Sequence, residues 1–312
     1  MTFTQLEYII ALNIYKQFSL AAEKCYVTQP TLSMQVQKLE EELGLKIFDR
    51  NKQPIETTIA GKEIIMHAKR IITERDELLD KTLGTKGMLN GELRVGIIPT
   101  LAPYLLPLFI PKFTKKYKDV RIIINELTTE NLIQQLKDGV IDAGILVTPL
   151  NDKNIKEDIL FYEELYVYTS KLNSLFQKEY VLNNDINPDK LWLLEEGHCF
   201  RSQVMNFCEL QKKSAFGNQF EYEAGSLETL VRLVDATDGI TFLPELATLG
   251  LSARQLRQLK QFTGNKPFRE VSLVTNNEFV KKQLINYLRK EIIEGLPQKL
   301  KENKAKNIVP LK

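Results

Sequence analysis

The spacing of apolar residues changes character between residues 84 and 90, which restricts the chain to two unlike folding units in series. Over residues 5–43 apolar residues recur at helical intervals and no β-rich run is long enough for a strand, so short helices are expected. Residues 47–58 hold Pro54 beside the β-branched Ile55, Thr57 and Thr58, and read as a hairpin or wing. Helical spacing returns over residues 59–83. Ile64, Ile71 and Leu78 fall seven apart, as do Ile65, Ile72 and Leu79, with Ala68 between them and Lys69, Arg70, Glu74 and Arg75 outside. The pattern gives an amphipathic helix of about 25 residues, roughly 38 Å long. Thr82, Gly84, Thr85, Lys86 and Gly87 end it as a flexible hinge.

From residue 91 strands and helices alternate. Residues 93–98, 120–127 and 141–147 read as strands, with helices at 101–116 and 131–137 between them, and short joints of this kind imply a parallel α/β sheet. Shorter strands follow at 165–169, 191–194, 220–222 and 240–243, with a helix at 227–234 capped by Ser226. A strand at 271–274 and a helix at 278–293 close the pattern. The remaining residues, 299–312, carry Lys299, Lys301, Lys304 and Lys306 without apolar periodicity and read as a solvated end.

A chain of 312 residues suits about two domains. Lys and Arg number 42 against 40 Asp and Glu, so a net charge of +2 argues neither for nor against a polyanionic partner, and local pattern must decide. No apolar run approaches the roughly 18 residues of a membrane span. The amino-terminal stretch is interrupted by Glu7 and Lys16 and lacks a small-residue cleavage site, so a cytoplasmic protein without membrane partners is expected. Three cysteines make no disulfide framework, and in that compartment resting thiols are reduced.

The first informative cluster is Phe18-Ser19-Leu20-Ala21-Ala22, then Tyr26-Val27-Thr28, then Gln29-Pro30-Thr31-Leu32-Ser33. Two helices meet at a three-residue turn; Thr28 can cap the second, and Pro30 sits in its first turn, where the missing donor is harmless. Ala21 and Ala22 allow close helix approach. Leu32, Val36 and Leu39 form an inward stripe that leaves Gln29, Thr31, Ser33, Gln35 and Lys38 facing out. Outward amides and hydroxyls at the start of a second helix suit a reader of the DNA major groove. A small helical domain with a polar face is the alternative, and over residues 1–60 basic side chains do not outnumber acidic ones.

Residues 3–61, with Ser19-Leu20-Ala21-Ala22, Gln29-Pro30-Thr31-Leu32-Ser33, Lys38-Leu39-Glu40, Leu43-Gly44, Phe48-Asp49-Arg50 and Thr58-Ile59-Ala60-Gly61, resemble the winged helix-turn-helix of LysR-type transcriptional regulators. The resemblance implies a winged helix-turn-helix at 1–58, a dimerising linker helix and hinge at 59–86, and a regulatory domain at 87–298. That domain is implied to consist of two α/β subdomains, like a periplasmic binding protein, with the Lys-rich tail at 299–312. It also implies that Gln29, Pro30, Thr31, Ser33, Gln35 and Lys38 lie in or beside the groove and that Arg50 on the wing reaches the DNA backbone. Met34 departs from the family's frequent basic residue.

The second cluster is His198-Cys199-Phe200-Arg201, running on to Cys208. Two cysteines nine apart beside one His do not have the paired spacing of a zinc site, and no metal or cofactor is expected. A pair of core thiols is the plain alternative. Cys199, however, follows the expected strand 191–194 and opens a helix, with Arg201 close by, and a helix amino terminus and a guanidinium both favour thiolate. If residues 199–208 are helical, the two Cα atoms stand roughly 13 Å apart, beyond the limit of about 7 Å for a disulfide. Oxidation of Cys199 to sulfenic acid and attack by Cys208 then require the helix to unwind, coupling chemistry to shape.

This segment closely resembles the redox loop of the hydrogen-peroxide-sensing LysR-type regulators, a likeness that extends to Gly96-Ile97-Ile98-Pro99-Thr100, Pro103-Tyr104-Leu105-Leu106-Pro107, Ser226-Leu227-Glu228 and Gly239-Ile240-Thr241. It implies a peroxidatic Cys199, a resolving Cys208, and Thr100, Thr129 and His198 holding peroxide, with Arg201 and Arg269 as supporting cations. Ser202 and Asn206 depart from it. Cys25 and Trp192 read as core residues and His67 as interfacial or solvated. The expected protein is a transcription factor and not an enzyme. It binds double-stranded DNA as a dimer of dimers, contacts RNA polymerase, and is reset by glutaredoxin or thioredoxin. The alternative is a LysR-type regulator whose ligand is a small metabolite held between the subdomains while the cysteines stay idle.

Overall fold

A computed structural model describes residues 1–84, 90–195, 199–208, 224–264, 266–277, 281–303 and 307–310. The chain forms two compact units. The first begins with α1 (Phe3–Tyr15), α2 (Phe18–Lys24) and α3 (Gln29–Leu43). Their stripes meet in one core: Ile9, Leu12, Ala21, Leu32, Val36 and Leu39 are all fully buried. The Thr28 hydroxyl accepts from the Thr31 N–H at 3.4 Å, and Gly44 closes α3 at φ 68°, a backbone region that glycine enters without strain. The wing is a short antiparallel pair, β1 (Phe48–Asp49) with β2 (Glu56–Thr57). Buried Glu40 ties it to α3 by accepting from the N–H groups of Ile47 (2.8 Å) and Phe48 (3.2 Å). The amphipathic helix α4 runs Ile59–Gly84. Thr82 and Gly84, read as part of a hinge, continue this helix, while residues 85–87 lie outside the described residues.

The second unit is built on β3 (Gly91–Ile97), α5 (Ala102–Lys116), β4 (Val120–Glu126), α6 (Thr129–Asp138), β5 (Ala143–Thr148) and the long β6 (Ile155–Thr169). Short β7 (Tyr180–Val181) precedes α7 (Cys199–Phe207), α8 (Leu227–Ala236), β8 (Ile240–Pro244), α9 (Glu245–Thr248) and α10 (Ala253–Leu256). Then come β9 (Leu259–Phe262), β10 (Phe268–Asn276), α11 (Lys282–Gly295) and α12 (Gln298–Glu302). The strand order is β4-β3-β5-β10-β6-β9-β7, with β8 also on β6. Two α/β halves share β6 and β10: the first part of β6 pairs with β10, and its last residues pair with β8 and β9. β3 is parallel to β4 and β5 as the strand–helix–strand pattern requires, but β10 returns antiparallel to both β5 and β6, so the sheet is mixed.

Other sequence expectations need correction. Residues 191–194 make isolated bridges, Leu191 to Ile240 and Leu194 to Ala224, in place of a strand. β6 starts ten residues before the expected 165, because charged side chains at Lys156, Glu157 and Asp158 mask its strand pattern. The expected strand 220–222 falls outside the described residues. The carboxy-terminal stretch is docked: Leu300 and Val309 are buried, Lys299 pairs with Glu245 at 2.5 Å, and Val309 N–H donates to Phe268 O at 2.8 Å. Irregularly placed apolar anchors hold it, which periodicity alone does not register. Lys304 and Lys306 lie outside the described residues.

Candidate functional site

Cys199 is the first residue of α7 and is not in a disulfide. Burial pushes its thiol above the ordinary thiol range, opposed by the Thr129 hydroxyl, the Arg269 guanidinium and the N–H groups of Phe200 and Cys199. Thr129 opens α6; its Oγ1 is buried with no hydrogen-bond partner of its own among the described residues, and the group it faces is this sulfur. Arg269, from β10, is fully buried. It donates through Nε to Glu163 Oε1 at 2.7 Å, through Nη1 to Thr100 Oγ1 at 3.1 Å and through Nη2 to Thr100 O at 3.2 Å, and its guanidinium lies 5.4 Å from the centre of the Phe200 ring.

The geometry corrects the expected electrostatics. Arg201 does not supply the cation: its Nη1 donates to Leu194 O at 2.9 Å, and the guanidinium that acts on the sulfur is that of Arg269. Because Arg269 is already paired with buried Glu163, its charge is largely compensated, and desolvation of the sulfur prevails over the helix terminus and the cation together. Burial thus opposes the thiolate that the helix terminus and a nearby cation favour. Thr100, Thr129, Cys199 and Arg269 are brought together; His198 lies outside the described residues.

Cys208 follows the last turn of α7, its N–H donating to Val204 O at 3.1 Å. Nine helical rises separate it from Cys199 by roughly 13 Å. Burial alone pushes its thiol up to about 12, and its side chain packs against the core that contains Phe200 and Val204. The helix is tied down elsewhere: Gln203 Nε2 donates to Val309 O at 3.0 Å, and Phe207 meets Phe262 edge-on at 5.0 Å between ring centres. Cys25 is also free, at the carboxy-terminal cap of α2, with its thiol pushed up by burial and by Glu7.

On the first unit, α3 exposes Gln29, Pro30 and Lys38, with Thr31, Ser33 and Gln35 half-buried on the same helix and Met34 exposed beside them. Thr31, Gln35 and Lys38 face the start of α1 across a cleft that Thr2 and Gln5 also line. Arg50 is half-committed to the interior: its guanidinium lies 3.3 Å from Glu40 and 5.3 Å from the centre of the Phe18 ring, and 35% of the side chain remains accessible for a contact outside.

Several participants escaped the sequence reading. Glu163 had a visible signal, a carboxylate pair at Glu163-Glu164 within an otherwise apolar run. Gln5 had one too, three residues after Thr2, the spacing of a capping box. Tyr104, named in the sequence only as part of a resembling segment and given no role, has its phenol pushed up by burial and by Glu228 and lies close enough to Arg269 and Glu163 to feel both charges. Among the described residues no group of three or more His, Cys, Asp or Glu could hold a metal ion, and no helix is long and apolar enough to cross a membrane.

Comparison with known proteins matches both units. Residues 3–62 match the bacterial regulatory helix-turn-helix protein, lysR family, and residues 86–294 match the LysR substrate binding domain. The hydrogen peroxide-inducible genes activator of Haemophilus influenzae is 32% identical over 88% of this chain and 90% of its own. The DNA-binding transcriptional dual regulator OxyR of Escherichia coli K12 is 35% identical over 79% of this chain and 80% of its own. The solved structure of a full-length OxyR variant from Pseudomonas aeruginosa superposes with a TM-score of 0.77 at 32% identity, covering 94% of this chain and 98% of that one.

Proposed function

The chain belongs to the LysR family of DNA-binding transcriptional regulators, and from that premise we propose that it senses hydrogen peroxide through Cys199 and reports it by a disulfide to Cys208. The observation that carries the reading is the setting of Cys199. A half-buried free thiol at a helix start meets an otherwise unpartnered hydroxyl, a buried guanidinium and two N–H groups, and a second free thiol waits at the far end of the same nine-residue helix. The peroxide-inducible relatives point to the same oxidant.

Peroxide entering beside Thr129 accepts from or donates to its hydroxyl. The Cys199 sulfur attacks one oxygen, the O–O bond breaks, and the thiol proton leaves with the other oxygen as water, giving sulfenic acid. The guanidinium of Arg269 and the N–H groups of residues 199 and 200 stabilise negative charge as it develops. Attack by Cys208 on the sulfenic sulfur expels a second water and forms the disulfide. That bond needs the Cα atoms within about 7 Å, so α7 must come apart, with loss of the Gln203–Val309 bond and the Phe207–Phe262 contact. Remodelling of the regulatory unit then alters how dimers of dimers, paired through α4, seat Gln29, Pro30, Thr31, Ser33, Gln35, Lys38 and Arg50 on DNA. Promoter activation proceeds by contact with RNA polymerase. A dithiol protein, glutaredoxin or thioredoxin, restores the thiols by exchange.

Intact mass after one equivalent of peroxide tests the reading. A loss of two hydrogens in the full chain, absent from Cys199→Ser and replaced by a gain of one oxygen in Cys208→Ser, supports it. Unchanged mass in all three would leave a regulator answering to a small molecule bound between its α/β halves.

A further inference from the structure

We infer that Gln5 is a positioning residue for DNA recognition: it fixes which end of the Gln35 side-chain amide faces the base pairs, and so sets one letter of the preferred DNA sequence. The inference rests on the proposed reading that Gln35 contacts a base. The order of donors leaves no freedom. A backbone N–H can only donate, and that of Thr2 lies 2.9 Å from Gln5 Oε1, so this oxygen is the acceptor end. The Gln5 amide nitrogen is therefore the other end, and it donates to Gln35 Oε1 at 3.1 Å. Gln35 Oε1 points back toward α1, and its Nε2 points away. Among the described residues nothing accepts from that Nε2.

Gln5 is suited to the task. It is 3% exposed, and its own N–H donates to Thr2 Oγ1 at 3.2 Å, completing a capping box that locks the side chain at the start of α1. Gln35 itself is half-buried on the face of α3 that carries Thr31 and Lys38, along the cleft beside α1. A glutamine free to turn can meet adenine with donor and acceptor together. A Gln35 pinned by its oxygen presents a donor, which matches the acceptor-only edge of guanine and is mismatched to the amino group of cytosine.

The test uses the full-length protein and duplexes selected by it from a pool randomised over each half-site. Gln35→Ala identifies the base pair concerned, as the one where preference is lost. Gln5→Glu keeps the acceptor for Thr2 N–H but offers Gln35 only acceptors, so the Gln35 amide turns its nitrogen inward and its oxygen outward. With a neutral hydrogen bond worth roughly a factor of five, losing one at guanine and gaining one at cytosine should lower the guanine-to-cytosine affinity ratio at that pair about twenty-five-fold. Any uniform weakening from the added charge cancels in the ratio. Gln5→Met, which cannot bond Gln35, should flatten the preference at the same pair and serves if Gln5→Glu does not fold. Loss of affinity spread evenly over all sequences in both Gln5 variants, with the ratio unmoved, overturns the inference. If Gln35→Ala alters no base preference, the reading that Gln35 touches a base fails, and the inference with it.

Discussion

The two units carry their candidate functional side chains in opposite ways. In the first, Gln29, Pro30, Thr31, Ser33, Gln35 and Lys38 all stand on one helix, which a local apolar stripe orients. In the second, Thr100, Thr129, Glu163, Cys199 and Arg269 come from five separate places, and the Arg269–Thr100 bond joins residues 169 apart. A helix face leaves its side chains at least partly open to water. A cluster gathered inside a sheet changes the properties of what it gathers: burial pushes the Cys199 thiol up, against the pull of Thr129 and of the Arg269 cation.

The contrast makes the sharpest demand on Arg269. Arg269→Met strands the fully buried Glu163 carboxylate and should cost about 3–5 kcal/mol of unfolding free energy by urea titration. Adding Glu163→Leu should restore most of that, since the charge left behind causes the loss. The pH dependence has a definite sign. Burial raises the Glu163 carboxyl in the folded chain above its unfolded value, so between those two values the native state binds more protons and stability falls as pH rises. Without Arg269 the carboxyl moves higher still, and the Arg269→Met deficit should therefore shrink toward acid. A double variant no better than the single one would mean that the cluster stands on its packing and differs less from the first unit than its charges imply.

The first unit has non-local constraints too, and one of them offers the next largest effect. A Cβ at Gly61 would stand 2.1 Å from Ile47 O, where α4 crosses the start of the wing. Gly61→Ala should destabilise this unit by about 1–3 kcal/mol, as other forced overpacking does, visible as a lowered melting transition. A neutral result would show that the wing yields and that α3 alone holds the reading face.

These magnitudes follow what could be read in advance. Leu32, Val36 and Leu39 at helical spacing, Thr28 before Pro30, and the seven-residue spacing of Ile64, Ile71 and Leu78 announce helices whose outward residues follow by geometry. The helix opening at Cys199 is expected from its place after residues 191–194 and not from apolar spacing, and the distance to Cys208 follows from that helix. The partners of Cys199 were not legible. Arg201 is two positions away and Arg269 seventy, yet backbone direction turns Arg201 toward Leu194 O, and β10 delivers Arg269. Sequence proximity is a guide on a helix surface and a poor one inside a sheet, where register selects neighbours. The docked carboxy terminus was hidden likewise, because a single parallel bridge at Phe268 and Ile308 needs no periodicity.

The state of the sulfur is the direct check on this difference. In a Cys25→Ala/Cys208→Ser background, alkylation of Cys199 by iodoacetamide should accelerate about tenfold per pH unit from pH 7 to 9, because the thiolate fraction climbs in that proportion below a raised pKa. The same shift makes the neutral form the one the fold prefers, so stability contributed by this thiol is lost as pH rises through and beyond the ordinary thiol range near 8.5. A rate already flat between pH 6 and 8 would indicate a standing thiolate and return the regulatory site to simple helix-terminus electrostatics.

The smallest effect concerns what keeps α7 folded. Gln203 is fully buried; its Nε2 donates to Val309 O, but its Oε1 has no partner among the described residues. Gln203→Leu removes one buried hydrogen bond and leaves Val309 O unpaired, while it also removes an unsatisfied oxygen and adds apolar contact beside Phe200 and Val204. Such terms of about 1 kcal/mol each nearly cancel, so the unfolding free energy of the reduced protein should move by less than about 1 kcal/mol in either direction. A loss above about 2 kcal/mol would show that the amide bond to the carboxy-terminal stretch, more than the apolar packing of the helix, holds the two thiols apart. The regulatory unit would then depend on a polar contact spanning 106 positions, widening the difference from a reading helix whose own stripe suffices.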